Sequence, residues 1–149
     1  MKTIYFKSIS IEILDSWKET KINDNYVFIQ SKKIGDSYCT LSLYHFKDSE
    51  RELDEVYQST LDKYSKLKKF KLVAEDTIVS DGMTYKDRQL SFTDKKRKST
   101  IIIQEKIMDI DNELYVLSTQ MHECPLLSVY EKIIPDIFNS LTIHTSIME

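Results

Sequence analysis

Ile9, Ile11 and Ile13 alternate with Ser10 and Glu12. This is the period of two that a half-buried strand imposes, because successive side chains point to opposite faces. Tyr26 to Gln30 reads as a second strand and Ser37 to Phe46 as a third. In the third, Cys39, Leu41 and Leu43 fall on one face, with Tyr38, Tyr44 and Phe46 on the other. Both faces carry apolar or aromatic groups, so this strand is expected to be central and covered on both sides. The period then changes. Leu53, Val56, Tyr57, Leu61, Tyr64 and Leu67 recur at steps of three and four, which is the apolar stripe of an amphipathic helix. Ser49 and Glu52 offer a capping box at its start. Lys66, Lys68, Lys69 and Lys71 gather at its end, where the helix dipole favours positive charge.

The second half returns to strands. Lys71 to Val79 leads into the turn Ser80-Asp81-Gly82, and Thr84 to Thr93 leads into the loop Asp94-Lys95-Lys96-Arg97-Lys98. Ser99 to Met108 and Glu113 to Met121 are joined by Asp109-Ile110-Asp111-Asn112, a short polar connection that predicts a β-hairpin. A last helix is predicted from about Pro125, since proline suits a first helical position. Its stripe is Leu126, Leu127, Tyr130, Ile133, Ile134, Ile137, Phe138 and Leu141, with a kink or short break expected at Pro135. Strands follow strands through short turns, so the fold class is α+β with a mainly antiparallel sheet flanked by helices.

The chain has 149 residues, which fits one domain over 1–149. A core of this size needs no disulfide or metal to hold it. Charged residues make up 30% and the formal net charge is −3, whereas a dedicated nucleic-acid binder usually carries a basic excess. No nucleic-acid partner is expected. The N-terminal stretch has no apolar run of signal-peptide length. Ile101-Ile102-Ile103 falls far short of a membrane span. A cytoplasmic protein without membrane insertion is the expectation.

There are two glycines, Gly35 and Gly82. A phosphate-cradling loop needs several, so neither a P-loop nor a dinucleotide fingerprint can be drawn. His122-Glu123-Cys124 lacks the second ligand pair that a zinc site requires. Cys39, mid-strand between apolar neighbours, reads as a buried inert thiol rather than a nucleophile. Asp109 and Asp111 lack the glycine and closing glutamate of a cation loop. No cofactor, no metal and no catalytic constellation is predicted. What remains is recognition. Trp17, Tyr38 and Tyr44 can present large rings with polar tips, and Lys95, Lys96 and Arg97 a basic hairpin tip, so these six are the candidate protein contacts.

The order of elements resembles the PsbP/Mog/DcrB-like proteins. The features that carry the likeness are the opening Ile9-Ser-Ile-Glu-Ile13 followed by Trp17, the helix Leu53–Leu67, the strand Leu114-Tyr-Val-Leu-Ser118, and the closing Tyr130…Phe138-Asn-Ser-Leu141. Asp15 and Ser16 stand where the family usually places a proline. The resemblance implies an α/β/α sandwich around a curved antiparallel sheet and a non-enzymatic accessory role. Among its cytoplasmic branches, the chaperones of type VI secretion effectors are similar in size and layout. A bacterial chaperone or adaptor that holds a client protein through its sheet face, with homodimerisation possible, is therefore expected; an immunity-type protein that caps a toxin belongs to the same class. An enzyme or small-ligand binder with an unrecognised pocket is the alternative.

Overall fold

The computed structural model describes residues 1–33, 38–46, 53–80, 83–96, 98–122 and 127–144, with Ser80 described by its backbone alone. Strands β1 (Lys2–Phe6) and β2 (Ile9–Ile13) open the chain as a hairpin. They are followed by β3 (Lys18–Asn23), β4 (Tyr26–Gln30) and β5 (Cys39–Phe46). Helix α1 (Leu53–Ser65) precedes β6 (Lys71–Ser80), β7 (Met83–Asp94), β8 (Ser99–Ile110) and β9 (Glu113–His122). Helix α2 (Leu127–Asn139) and the short β10 (Thr142–Ile143) close the described chain.

Seven strands form one sheet in the order β3-β4-β5-β9-β8-β7-β6, and β1, β2 and β10 form a smaller one. Every described pairing is antiparallel. The α+β antiparallel architecture expected from the alternation is the one found. Strand β5 is internal, between β4 and β9, as expected. It is not covered on both sides: its even-numbered positions are only half-buried, since α1 sits mainly over β7, β8 and β9.

Odd-numbered positions of β5 and β9, such as Leu41, Leu43, Tyr115 and Leu117, point to what we term the first face. There they meet α2, through Tyr130, Ile134 and Ile137, and the small sheet, through Ile9, Ile11 and Ile13. Each of those isoleucines is at most 1% exposed, so each contributes roughly 1.5–3 kcal/mol of transfer free energy. The second face takes α1. Leu53 and Val56 seat on Ile107, Leu114 and Val116, while Leu61 and Tyr64 seat near Leu90, Ile101 and Ile103. The two covers are offset. Helix α2 and the small sheet lie over β4, β5, β9 and the end of β8 on the first face, and α1 lies over β7, β8 and β9 on the second, reaching Tyr44 and Phe46 of β5.

Three details depart from the sequence expectation. The β8–β9 connection is shorter than four residues: Asp109 and Ile110 belong to β8, leaving only Asp111-Asn112 as the turn. Ile110 is 2% exposed, and packing draws it into the sheet. The turn residues have φ of 52° and 66°, the left-handed pair that matches the twist of a two-residue hairpin. Helix α1 stops at Ser65, so Leu67 lies beyond it and is 40% exposed. Helix α2 runs unbroken through Pro135. Pro135 faces solvent while Tyr130, Ile134, Ile137 and Phe138 are buried on both sides of it, and that packing outweighs the roughly 3 kcal/mol cost of an interior proline. The capping pair Ser49 and Glu52, the turn residues Asp81 and Gly82, and Cys124, Pro125 and Leu126 lie outside the described residues.

Beneath α1 sits a buried ion pair that the periodicity does not announce. Arg88 on β7 and Glu105 on β8 are direct cross-strand partners, 2% and 4% exposed. Arg88 Nε donates to Glu105 Oε1 at 2.8 Å, and Nη1 donates to the Tyr57 carbonyl oxygen at 2.7 Å. Its other terminal nitrogen donates to Thr60 Oγ1, and Ser118 Oγ donates to Glu105 Oε2 at 3.1 Å. The guanidinium also lies over the Tyr57 ring, 4.3 Å from its centre. Both charges are met by several partners, the condition under which a desolvated pair is tolerated. Replacing Arg88 by Met strands the Glu105 carboxylate and is expected to lower unfolding stability by about 3–5 kcal/mol. The double variant Arg88→Met/Glu105→Leu is expected to recover most of that loss in urea titrations. Equal destabilisation by the single and double variants would show that the pair acts only through packing.

Candidate functional site

Among the described residues, α1 reaches only Tyr44 and Phe46 of β5 and leaves the β3–β4 side of the second face uncovered. Cross-strand register lays the side chains there in rows. One row runs Lys18–Gln30–Thr40–Gln120, and the next Thr20–Phe28–Ser42–Ser118, continuing to Glu105 and Arg88 under the helix. A third row holds Tyr26, Tyr44 and Val116. The rings of Tyr26 and Tyr44 stack with centres 4.5 Å apart and planes 13° from parallel. This surface is a floor of hydroxyls, amides and half-buried rings, in contrast to the aliphatic first face.

Two adjoining hollows occupy it. The outer one, about 360 Å³, is lined by Ser16, Lys18, Thr20, Phe28, Gln30, Ser31, Lys32 and Lys33. The inner one, about 280 Å³, runs under the flank of α1 between Tyr44, Phe46, Tyr64, Lys63, Glu105 and Ser118. They meet where Phe28 neighbours Ser42 and Gln30 neighbours Thr40, one strand spacing of about 4.8 Å. Together they form a groove across four strands.

The groove is a place of reduced hydration. Burial pushes the Tyr64 phenol up to about 12, and the Glu105 carboxylate adds to the shift. Burial also raises Tyr44, followed by its hydrogen bond to Tyr26. Both phenols are therefore neutral donors at any physiological pH.

The six residues singled out from the sequence are dispersed. Tyr44 lies in the groove. Tyr38 is half-buried at its margin, edge-on to the His122 ring at 5.8 Å, with Lys33 Nζ 5.2 Å from its ring centre. Trp17 does not reach the surface: at 2% exposure it is part of the core behind the first face, where its large apolar area is best removed from water. Lys95 and Lys96 are exposed in the β7–β8 turn and line neither hollow. Arg97 lies outside the described residues. Sequence reasoning missed Lys18, Phe28, Ser42, Ser118 and Gln120. The signal for Ser42, Ser118 and Gln120 was present in the polar even-numbered positions of β5 and β9, which become one surface once the two strands are paired in register.

Other groups with chemical potential sit apart. His45 is 6% exposed, with Nδ1 at 3.0 Å from Asn25 Oδ1 and Nε2 at 3.0 Å from Glu113 Oε1. It lines a polar hollow of about 390 Å³ together with Lys7, Asp24 and Tyr115. Both ring nitrogens are engaged by the protein's own side chains, so the ring serves as a tie between the β3–β4 turn and β9. Cys39 is fully buried and points to the first face. Among the described residues, no group of three or more His, Cys, Asp or Glu side chains could hold a metal ion, and no helix is long and apolar enough to cross a membrane.

The raised Tyr64 acidity carries a consequence for stability at high pH. A phenol whose folded pKa is lifted above the unfolded value of 10.0 contributes stability that is complete below about pH 10 and lost as pH rises through about 12. Chemical denaturation midpoints of the parent chain are therefore expected to fall across that window, and to fall less in Tyr64→Phe. An identical alkaline slope in the variant would show that Tyr64 titrates freely.

No protein-family model and no curated protein matches the chain. Solved structures do. Saccharomyces cerevisiae Ran-binding protein Mog1p aligns at 10% identity, covering 95% of this chain and 94% of its own, with a TM-score of 0.62. Mycobacterium tuberculosis LpqN, a protein involved in cell envelope biogenesis, aligns at 14% identity over 92% of this chain and 83% of its own, with a TM-score of 0.65. Synechocystis PsbP (CyanoP) aligns at 9% identity over 93% and 88%, with a TM-score of 0.60. At such identities the likeness is one of architecture, and the chain is built on the curved-sheet α+β fold shared by the Mog1 and PsbP proteins.

Proposed function

We propose that this chain is a non-catalytic protein-binding module, a cytoplasmic bacterial chaperone or adaptor that holds a client against the open half of its second sheet face. An immunity-type protein that caps a toxin would use the same surface in the same way. The observation that carries the reading is the offset of the two covers. It leaves β4 and β5 paired on both edges and backed by the core, with β3 hydrogen-bonded beside them, while among the described residues α1 reaches no further than Tyr44 and Phe46 on their other side. Phe28, Tyr26 and Tyr44 are half-buried there beside Thr20, Gln30, Thr40 and Ser42. Rings with few rotatable bonds, interleaved with short hydrogen-bonding groups, make contact area at low entropic cost. Support also comes from the shared fold, since the yeast neighbour is a Ran-binding protein. The type VI effector-chaperone role is the finer form of the same proposal, and a homodimer is compatible with it.

Catalysis is not part of the proposal. The best-placed imidazole, His45, has both nitrogens committed to Asn25 and Glu113, whereas a general base needs one directed at substrate.

The test is recovery of a stoichiometric protein partner with the tagged chain from its native host, and loss of that partner in Phe28→Glu or Ser42→Arg. Both positions lie on the bare surface and are expected to leave the thermal midpoint nearly unchanged. A lone monomer whose melting temperature rises with a metabolite would overturn the adaptor reading.

A further inference from the structure

The exposed charges among the described residues lining the groove are of one sign. Lys18, Lys32 and Lys33 line the outer hollow and Lys63 the inner one, and all four are exposed. None of them is ion-paired among the described residues. The one carboxylate in either lining is Glu105, which is 4% exposed and already bound to Arg88 and Ser118. Among the described residues that line it, the accessible charge is thus positive, on a chain whose formal net charge is −3. Solvated lysines are ordinary at surfaces. What is not ordinary is four of them bordering one groove, with no exposed acid among the described lining residues, on an acidic protein.

From this we infer that the groove takes an acidic segment of a partner protein, with one or two apolar side chains set on Phe28 and Tyr44 and carboxylates reaching the lysines at both ends. The inference rests on the sheet-face reading above and specifies the chemistry of its occupant. From β3 to β9 the groove crosses three strand spacings, about 14 Å. That distance accommodates about four extended residues or nearly three turns of helix. The hydroxyl and amide floor supplies further donors for carboxylates through Thr20, Gln30 and Ser42. Because the lysines are solvated, their part is to steer association and choose the partner, and salt should weaken it.

The test uses the full chain and three fluorescent peptides of equal length that share a central Phe and Leu. Their remaining positions are Glu and Asp, Gln and Asn, or Lys. Anisotropy titrations are expected to rank the acidic peptide about tenfold tighter than the amide peptide at low salt. The gap is expected to narrow at high salt, with the lysine peptide weakest. Lys18→Glu/Lys33→Glu is expected to reverse the order of acidic and lysine peptides, and Phe28→Ala to weaken all three alike. Equal binding of acidic and amide peptides would overturn the charge preference and leave the sheet-face reading standing. A preference untouched by Lys18→Glu/Lys33→Glu but abolished by Lys95→Glu/Lys96→Glu would move the contact to the β7–β8 turn and overturn both. Tighter binding of a single-stranded DNA oligomer than of the acidic peptide, lost in the same Lys18/Lys33 variant, would make the occupant a nucleic acid and overturn the proposal.

Discussion

Arg88 is the buried side chain that ties α1 to the second face. Its guanidinium reaches the sheet at Glu105 and the helix at the Tyr57 carbonyl and Thr60 hydroxyl. Apolar seats alone would leave α1 free to slide along the β7–β8 surface, since dispersion contacts have little directionality. A planar fork with fixed donor positions removes that freedom. The placement matters because the flank of α1 is also the wall of the groove. Tyr64 and Lys63 stand where they do because Arg88 fixes the helix one to two turns earlier, at Thr60 and Tyr57. A buried ion pair is a weak source of net stability but a strong constraint on arrangement.

The same constraint explains why the open half of the face is polar. An antiparallel sheet can be covered on one side and wet on the other. Had the uncovered rows carried leucine and valine, the free protein would expose a contiguous apolar patch, with the association hazard that brings. The rows are instead built from Thr20, Gln30, Thr40, Ser42, Ser118 and Gln120, with aromatic groups reserved for Tyr26, Phe28 and Tyr44. The two sheet edges are protected in different ways. Strand β3 is short, charged and broken in register between Lys21 and Asn23. Strand β6 has a register shift between Leu72 and Ala74 and the acidic pair Glu75-Asp76 near its centre. Irregularity and charge are common means of discouraging edge-to-edge pairing.

Most of the fold was legible because burial imposes its period on the sequence. Strand β4 matches its expected bounds, and β2, β5 and both helices follow from their apolar positions. Strand β3 was not legible. Lys18 to Asn23 are all exposed, so no apolar alternation marks them, and they are strand only because β4 supplies hydrogen-bonding partners. The Arg88–Glu105 pair was equally silent, since arginine and glutamate at alternate strand positions read as a solvated face until a helix is laid over them. The candidate contacts failed for a related reason. Tryptophan is both the best interface residue and one of the best core residues, and Trp17 is in the core. Composition cannot separate those roles. Register can, because it shows which polar residues share a surface.

That surface combines a polar floor with a few central rings, which bears on the kind of complex the proposed adaptor would make. A permanent interface is as apolar as a protein interior, whereas an exchangeable one is closer to ordinary surface with a few ring anchors at its centre. The groove has the second character. Phe28 and the Tyr26–Tyr44 stack are its central rings, neutral hydroxyls surround them, and lysines stand at the ends. Carboxylates arriving there would be met by solvated charges, so little desolvation is paid and little affinity is gained per contact. Recognition by such a surface is governed by the rings and gated by the charges. That division of labour is the one the proposed adaptor role would require.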